Sequence, residues 1–72
     1  MTEEIFETVK KVWPELEKML KEEHPELLPL YRMRYEYATG LYPDAMRLHN
    51  ARQLLQTYEI LKSSLAILLQ DG

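Results

Sequence analysis

From Pro43 to Gln70 the apolar residues recur at alternating three- and four-residue steps, and Ala51, Leu54, Tyr58, Leu61, Leu65 and Leu68 form one seam of a long helix. Leu55 and Leu69 widen the seam on one side, whereas Ile60 and Ile67 fall more than a third of a turn away on the other. Packing against one other helix would leave those two isoleucines in water, so the pattern predicts a second molecule to cover them. The expected dimer interface is Tyr58, Ile60, Leu61, Leu65, Ile67 and Leu68.

A second seam runs through the start of the chain. Ile5, Val9, Val12, Leu16 and Met19, flanked by Phe6, Trp13 and Leu20, keep one helical phase straight through Pro14. Preserved phase predicts a single helix kinked at Pro14, since proline removes one backbone donor and crowds the preceding turn. Thr2 suits the N-cap with Glu3 and Glu4 in the first turn, and His24-Pro25 ends the helix because a residue before proline is pushed out of helical geometry. Leu27-Leu28-Pro29 reads as a short connector. Between Leu30 and Thr39 two periodicities compete. Helical spacing groups Leu30, Tyr31, Arg34 and Ala38, while strict alternation sets Tyr31, Met33, Tyr35 and Tyr37 against Arg32, Arg34 and Glu36. A lone strand would need its own copy as ladder partner, which favours a short helix with Pro29 at its start and Gly40 just past its end. Pro43 and Asp44 then open the last helix.

The expected fold is all-α: a single domain over residues 1–72, a small bundle of two long helices and a short middle one, completed by dimerisation. Length supports this, because a chain of 72 residues buries only about 60% of its unfolded surface and gains from association. There is no cysteine, which removes disulfides, thiolate metal sites and thiol catalysis and makes a reducing, cytoplasmic setting the expectation. No stretch approaches the roughly 20 apolar residues that span a bilayer. The net charge of −3 divides unevenly, with eight Glu against four Lys in residues 1–29 and four acids against five Arg or Lys in residues 30–72. Such a balance disfavours broad binding to nucleic acid or acidic membranes.

Reactive chemistry has few places to reside. Carboxylate-bridged metal bundles place Glu three residues before His, but those positions hold Lys21 before His24 and Met46 before His49. Ser63 and Ser64 have no adjacent base, and two glycines cannot build a phosphate-cradling loop. Neither a metal, nor a cofactor, nor enzymatic activity is expected. The richest composition is Tyr31, Arg32, Arg34, Tyr35, Tyr37 and Tyr42, residue types enriched where proteins meet and also able to pack as an ordinary helical core. They are the expected partner-binding surface.

The segment Leu30-Tyr31-Arg32-Met33 followed by Ala38-Thr39-Gly40-Leu41-Tyr42-Pro43-Asp44-Ala45-Met46-Arg47 resembles the helix-turn-helix of MerR-type transcription regulators. That resemblance implies a DNA-binding regulator in which Arg47, His49, Asn50 and Arg52 face the major groove and Arg32 lies near the backbone. It departs from the motif at Glu36, four residues before the turn glycine, where a small apolar residue lets the two helices approach. The leading expectation is a non-catalytic interaction module, an adaptor, regulator or inhibitor that pairs with itself and with another protein. A DNA-binding regulator using residues 30–52 is the alternative.

Overall fold

The computed structural model describes the backbone of residues 2–71 and the side chains of residues 3–66. Three α-helices follow one another: α1 (Thr2–Glu23), α2 (Leu28–Thr39) and α3 (Asp44–Asp71). Among the described residues there is no strand, so the alternation of Tyr31, Met33, Tyr35 and Tyr37 yields to the helical period. Burial explains the outcome: Leu28 and Ala38 are enclosed on one side of α2, with Tyr31 and Tyr35 packed beside them at helical spacing.

Helix α1 is continuous through Pro14. The helical donor missing at Pro14 belongs to the carbonyl of Lys10, and both residues are exposed, so water can replace it. The proposed Thr2 cap lies outside the described side chains. After His24, a 3-10 turn over Pro25–Leu27 runs directly into α2. Leu28, expected in the connector, is therefore the first residue of α2 and belongs to the core. Its neighbour Pro29 occupies the opening turn, where the lost N–H would have no helical acceptor.

Gly40 ends α2 for a different reason from the usual one. Its φ of −88° and ψ of −168° are open to any residue, so no left-handed conformation is involved. Close approach is what requires glycine: a Cβ here would stand 2.8 Å from the carbonyl oxygen of Glu36 and 3.0 Å from the Tyr42 ring. Pro43 then caps α3, its carbonyl accepting from the amides of Met46 (3.0 Å) and Arg47 (3.1 Å).

The core is built from both seams. Phe6, Val9, Leu16, Met19 and Leu20 of α1 meet Leu28 and Ala38 of α2 and Ala51, Leu54 and Tyr58 of α3. Helix α2 and the first part of α3 form a hairpin, and α1 lies along one side of it. The outline is elongated, 44 × 27 × 16 Å, with a radius of gyration of 12.8 Å where about 11 Å is typical of this length.

Candidate interaction face

Four cross-helix contacts fix the hairpin and the place of α1. Tyr31 Oη lies 3.0 Å from Thr57 Oγ1, joining α2 to α3. On the side toward α1, Trp13 stacks on Tyr35 with centroids 4.6 Å apart and planes 8° from parallel, and Arg32 Nε donates to Glu17 Oε2 at 3.1 Å. Tyr58 Oη donates to Glu15 Oε2 at 2.6 Å, which holds α1 along α3.

This geometry redistributes the six residues expected to form one Tyr/Arg surface. Tyr31 and Tyr35 pack against the chain's own core. Arg32 is occupied on the α1 side, and Tyr37 meets Tyr42 edge-on at 4.9 Å beside the turn. Arg34 lies against the Tyr31 ring at 5.7 Å, and its Nε is buried without an acceptor. No single surface presents all six.

The expected dimer residues also separate. Tyr58 is 6% exposed and belongs to the core, and α1 covers that side of α3 through Glu15. Leu61 and Leu65 are partly buried against the same core. Ile60 stands clear at 58% exposure. Ile67 and Leu68 lie outside the described side chains.

Residues that would read DNA bases are divided as well. Asn50 is 8% exposed and its side-chain amide donates to the Met46 carbonyl at 2.9 Å. Arg47 is pinned within the fold, with its guanidinium carbon 4.0 Å from the Phe6 ring centroid, its Nε donating to Ala38 O at 3.3 Å and Nη1 to Asp44 Oδ1 at 3.4 Å. It satisfies one of the orphan C-terminal carbonyls of α2, that of Ala38, a structural role. His49 and Arg52 are exposed.

Chemical alternatives gain no constellation. His24 Nδ1 is 3.5 Å from Glu26 Oε1, and among the described residues no group of three or more His, Cys, Asp or Glu is placed to hold a metal ion. A cleft of about 120 Å³ near the end of α1 is lined by Met19, Glu23, His24, Leu61, Ser64 and Leu65. Among the described residues no hydrogen bond joins Ser64 to His24. No helix, among the described residues, is long and apolar enough to cross a membrane.

What the sequence reading missed is the outer face of the hairpin. Among the described residues, Leu27, Leu30, Leu41, Tyr42, Met33, Met46 and Ile60 are the exposed large hydrophobics, and none of them is on α1. Leu30 and Met33 fall about half a turn from Leu28 and Tyr35, and Ile60 about half a turn from Tyr58, so they point away from α1. The available signal was the 3,4 spacing of Leu30, Met33 and Tyr37, a second apolar stripe on a short helix.

The Tyr58–Glu15 bond gives the protein an alkaline signature. Its phenol is raised above the ordinary tyrosine value, first by the hydrogen bond to Glu15, then by burial and the nearby carboxylate charge. A raised folded value means the folded chain holds this proton more tightly. The contribution is therefore complete below the unfolded value of about 10 and is lost as pH rises through the folded one. Thermal melts should show stability falling above about pH 10. In Tyr58→Phe that fall should flatten, and an unchanged alkaline limb would dissociate the bond from it.

Comparison with known proteins finds no family model, no curated protein and no solved structure that matches this chain.

Proposed function

We propose that this chain is a non-catalytic protein–protein interaction module, a small adaptor, regulator or inhibitor, that works as a helical homodimer. One observation carries the reading: every exposed large hydrophobic among the described residues lies on the α2–α3 hairpin and its approach, with α1 covering the opposite side. Scattered apolar residues need no explanation, but a one-sided set does. From their fractional exposures, the six residues other than Leu41 present roughly 500 Å² per chain, taking about 150–250 Å² for each large side chain. The total surface of 5274 Å² also exceeds the roughly 4,700 Å² expected of a compact monomer of this mass.

Two such faces together would bury roughly 1,000 Å², the lower bound of a specific interface, so the dimer should be of about micromolar affinity. The end of the hairpin, where Tyr37 meets Tyr42 and Leu41 is fully exposed, is the part of the expected Tyr/Arg surface left to another protein.

Sedimentation equilibrium should give twice the chain mass at about 100 μM, well above a micromolar dissociation constant. Leu30→Asp with Ile60→Asp should give a folded, helical monomer, because both side chains are substantially exposed within one chain and a charge there costs the monomer little. A wild-type chain that remains monomeric at about 100 μM would refute the proposal.

A further inference from the structure

Resting on the reading of the hairpin face as the interaction site, we infer that the partner protein bound there presents an acidic amphipathic helix, which takes the place of the second copy. The charge on the face selects it. Leu30, Met33 and Ile60 share this face with two arginines, Arg34 on the α3 side of α2 and Arg52 on the outer margin of α3. Neither arginine has a carboxylate partner among the described residues. The nearby acids are placed elsewhere: α3 has none between Asp44 and Glu59, Asp44 is paired with Arg47, and Glu36 of α2 lies one helical turn from Arg32 on the α1 side. Covering the apolar residues therefore brings two unneutralised cations against the partner. A helix with carboxylates beside its apolar stripe answers both, whereas one without them leaves the arginines partly desolvated and unpaired.

The chain already contains such a pairing. Helix α1 carries seven glutamates against four lysines and seats on the opposite side of the same hairpin. Glu17 meets Arg32 at 3.1 Å, Glu15 accepts from Tyr58 at 2.6 Å and Trp13 lies on Tyr35, so carboxylates flank an apolar seam there. The outer face repeats the receiving residue types in Arg34, Arg52, Tyr37 and Tyr42. A fourth helix of the same chemistry as α1 completes the bundle.

A second copy does not offer that chemistry on one surface. Its hairpin face brings the same arginines, so self-pairing sets like charges together and stays weak. Its α1 brings glutamates but, among the described residues, no exposed large hydrophobic. The acidic stripe comes instead from another protein. Met46 and Ile60 lie fourteen residues apart, about 21 Å along α3, which sets the docked helix at roughly four turns. An anionic membrane or a nucleic acid would meet the same two arginines on a chain of net charge −3, with Gln53 and Gln56 interrupting the apolar stripe.

The probe is a synthetic peptide of about 16 residues with leucine at 3,4 spacing and glutamate on both flanks; its counterpart carries lysine at every glutamate position. Labelled with fluorescein, the glutamate peptide should bind the full chain at micromolar concentration, roughly tenfold more tightly than the lysine peptide, and sediment as one chain with one peptide. Arg52→Glu should weaken the glutamate peptide and strengthen the lysine peptide, and because Arg52 is exposed the variant keeps its fold. Leu30→Asp with Ile60→Asp should abolish binding of both. Equal binding of the two peptides, or no binding of either at about 100 μM, would overturn the inference. So would binding to phosphatidylserine vesicles or to a short DNA duplex by a chain that leaves the glutamate peptide free. The homodimer is judged separately: a chain that dimerises but ignores the peptide defeats the acidic helix alone, and one that binds the peptide yet is otherwise monomeric defeats self-pairing alone.

Discussion

Replacing Leu54 with alanine should lower stability by about 3 kcal/mol, within the 2–5 kcal/mol range for emptying a fully buried leucine site. Leu54 is completely enclosed at the middle of the α3 seam, and Ala51 and Tyr58 lie one turn to either side. Both are held by contacts of their own, Tyr58 by Glu15 and Ala51 by its position in the core, so the cavity has little room to collapse. For a domain of this size the loss should lower the melting temperature by roughly 15 °C and leave little margin, since total stability is about 5 kcal/mol at the low end of the usual range. Leu30→Ala is the control. Its side chain is 40% exposed, and its effect on the isolated chain should stay below about 1 kcal/mol. Circular-dichroism melts at low concentration decide the matter: a Leu54→Ala curve within about 2 °C of the wild type would mean that the seam is not packed as described.

The second large effect concerns the turn. Gly40→Ala should destabilise the chain by about 1–3 kcal/mol, the usual cost of forcing an extra carbon into a filled space. Alanine is comfortable at the observed φ of −88°, so the cost arises from overlap alone. The nearest obstacle is the Glu36 carbonyl oxygen at 2.8 Å, a backbone atom that also accepts the Gly40 amide, and it cannot swing aside as a side chain can. Removing the Tyr42 ring by Tyr42→Ala should therefore recover only part of the loss. If Gly40→Ala instead raised the melting temperature, the reduced freedom of the unfolded chain would be the dominant effect and the turn would be relaxing around the methyl.

Much of the helical layout could be read from the residues, and the reason is periodicity sustained over several turns. Val9, Leu16 and Leu20 in α1, and Ala51, Leu54 and Tyr58 in α3, repeat often enough that Pro14 could not disguise the first helix. Helix α2 was harder because it is short and apolar on two sides. Leu28, Tyr31, Tyr35 and Ala38 face inward while Leu30 and Met33 face out, and the overlay of two stripes imitates strand alternation. The surroundings of the recognition-type residues were hidden for a related reason. Composition can mark Tyr31, Tyr35, Asn50 and Arg47 as residues fit for recognition, but only tertiary packing reveals that their polar or aromatic groups are already spent on Thr57, Trp13, the Met46 carbonyl and Phe6. Ile60, which local phase alone set apart from the seam, stands in the open.

Trp13 is the chain's single tryptophan, and its indole lies flat against Tyr35 where the first helix meets the hairpin. The molecule consequently carries its own optical gauge: indole emission reports the seating of one helix on the other two, while far-ultraviolet ellipticity reports the helices themselves. If the hairpin persists after the first helix lifts away, the two signals will part company during denaturation, and the cooperativity of so small a fold can be measured without attaching any dye.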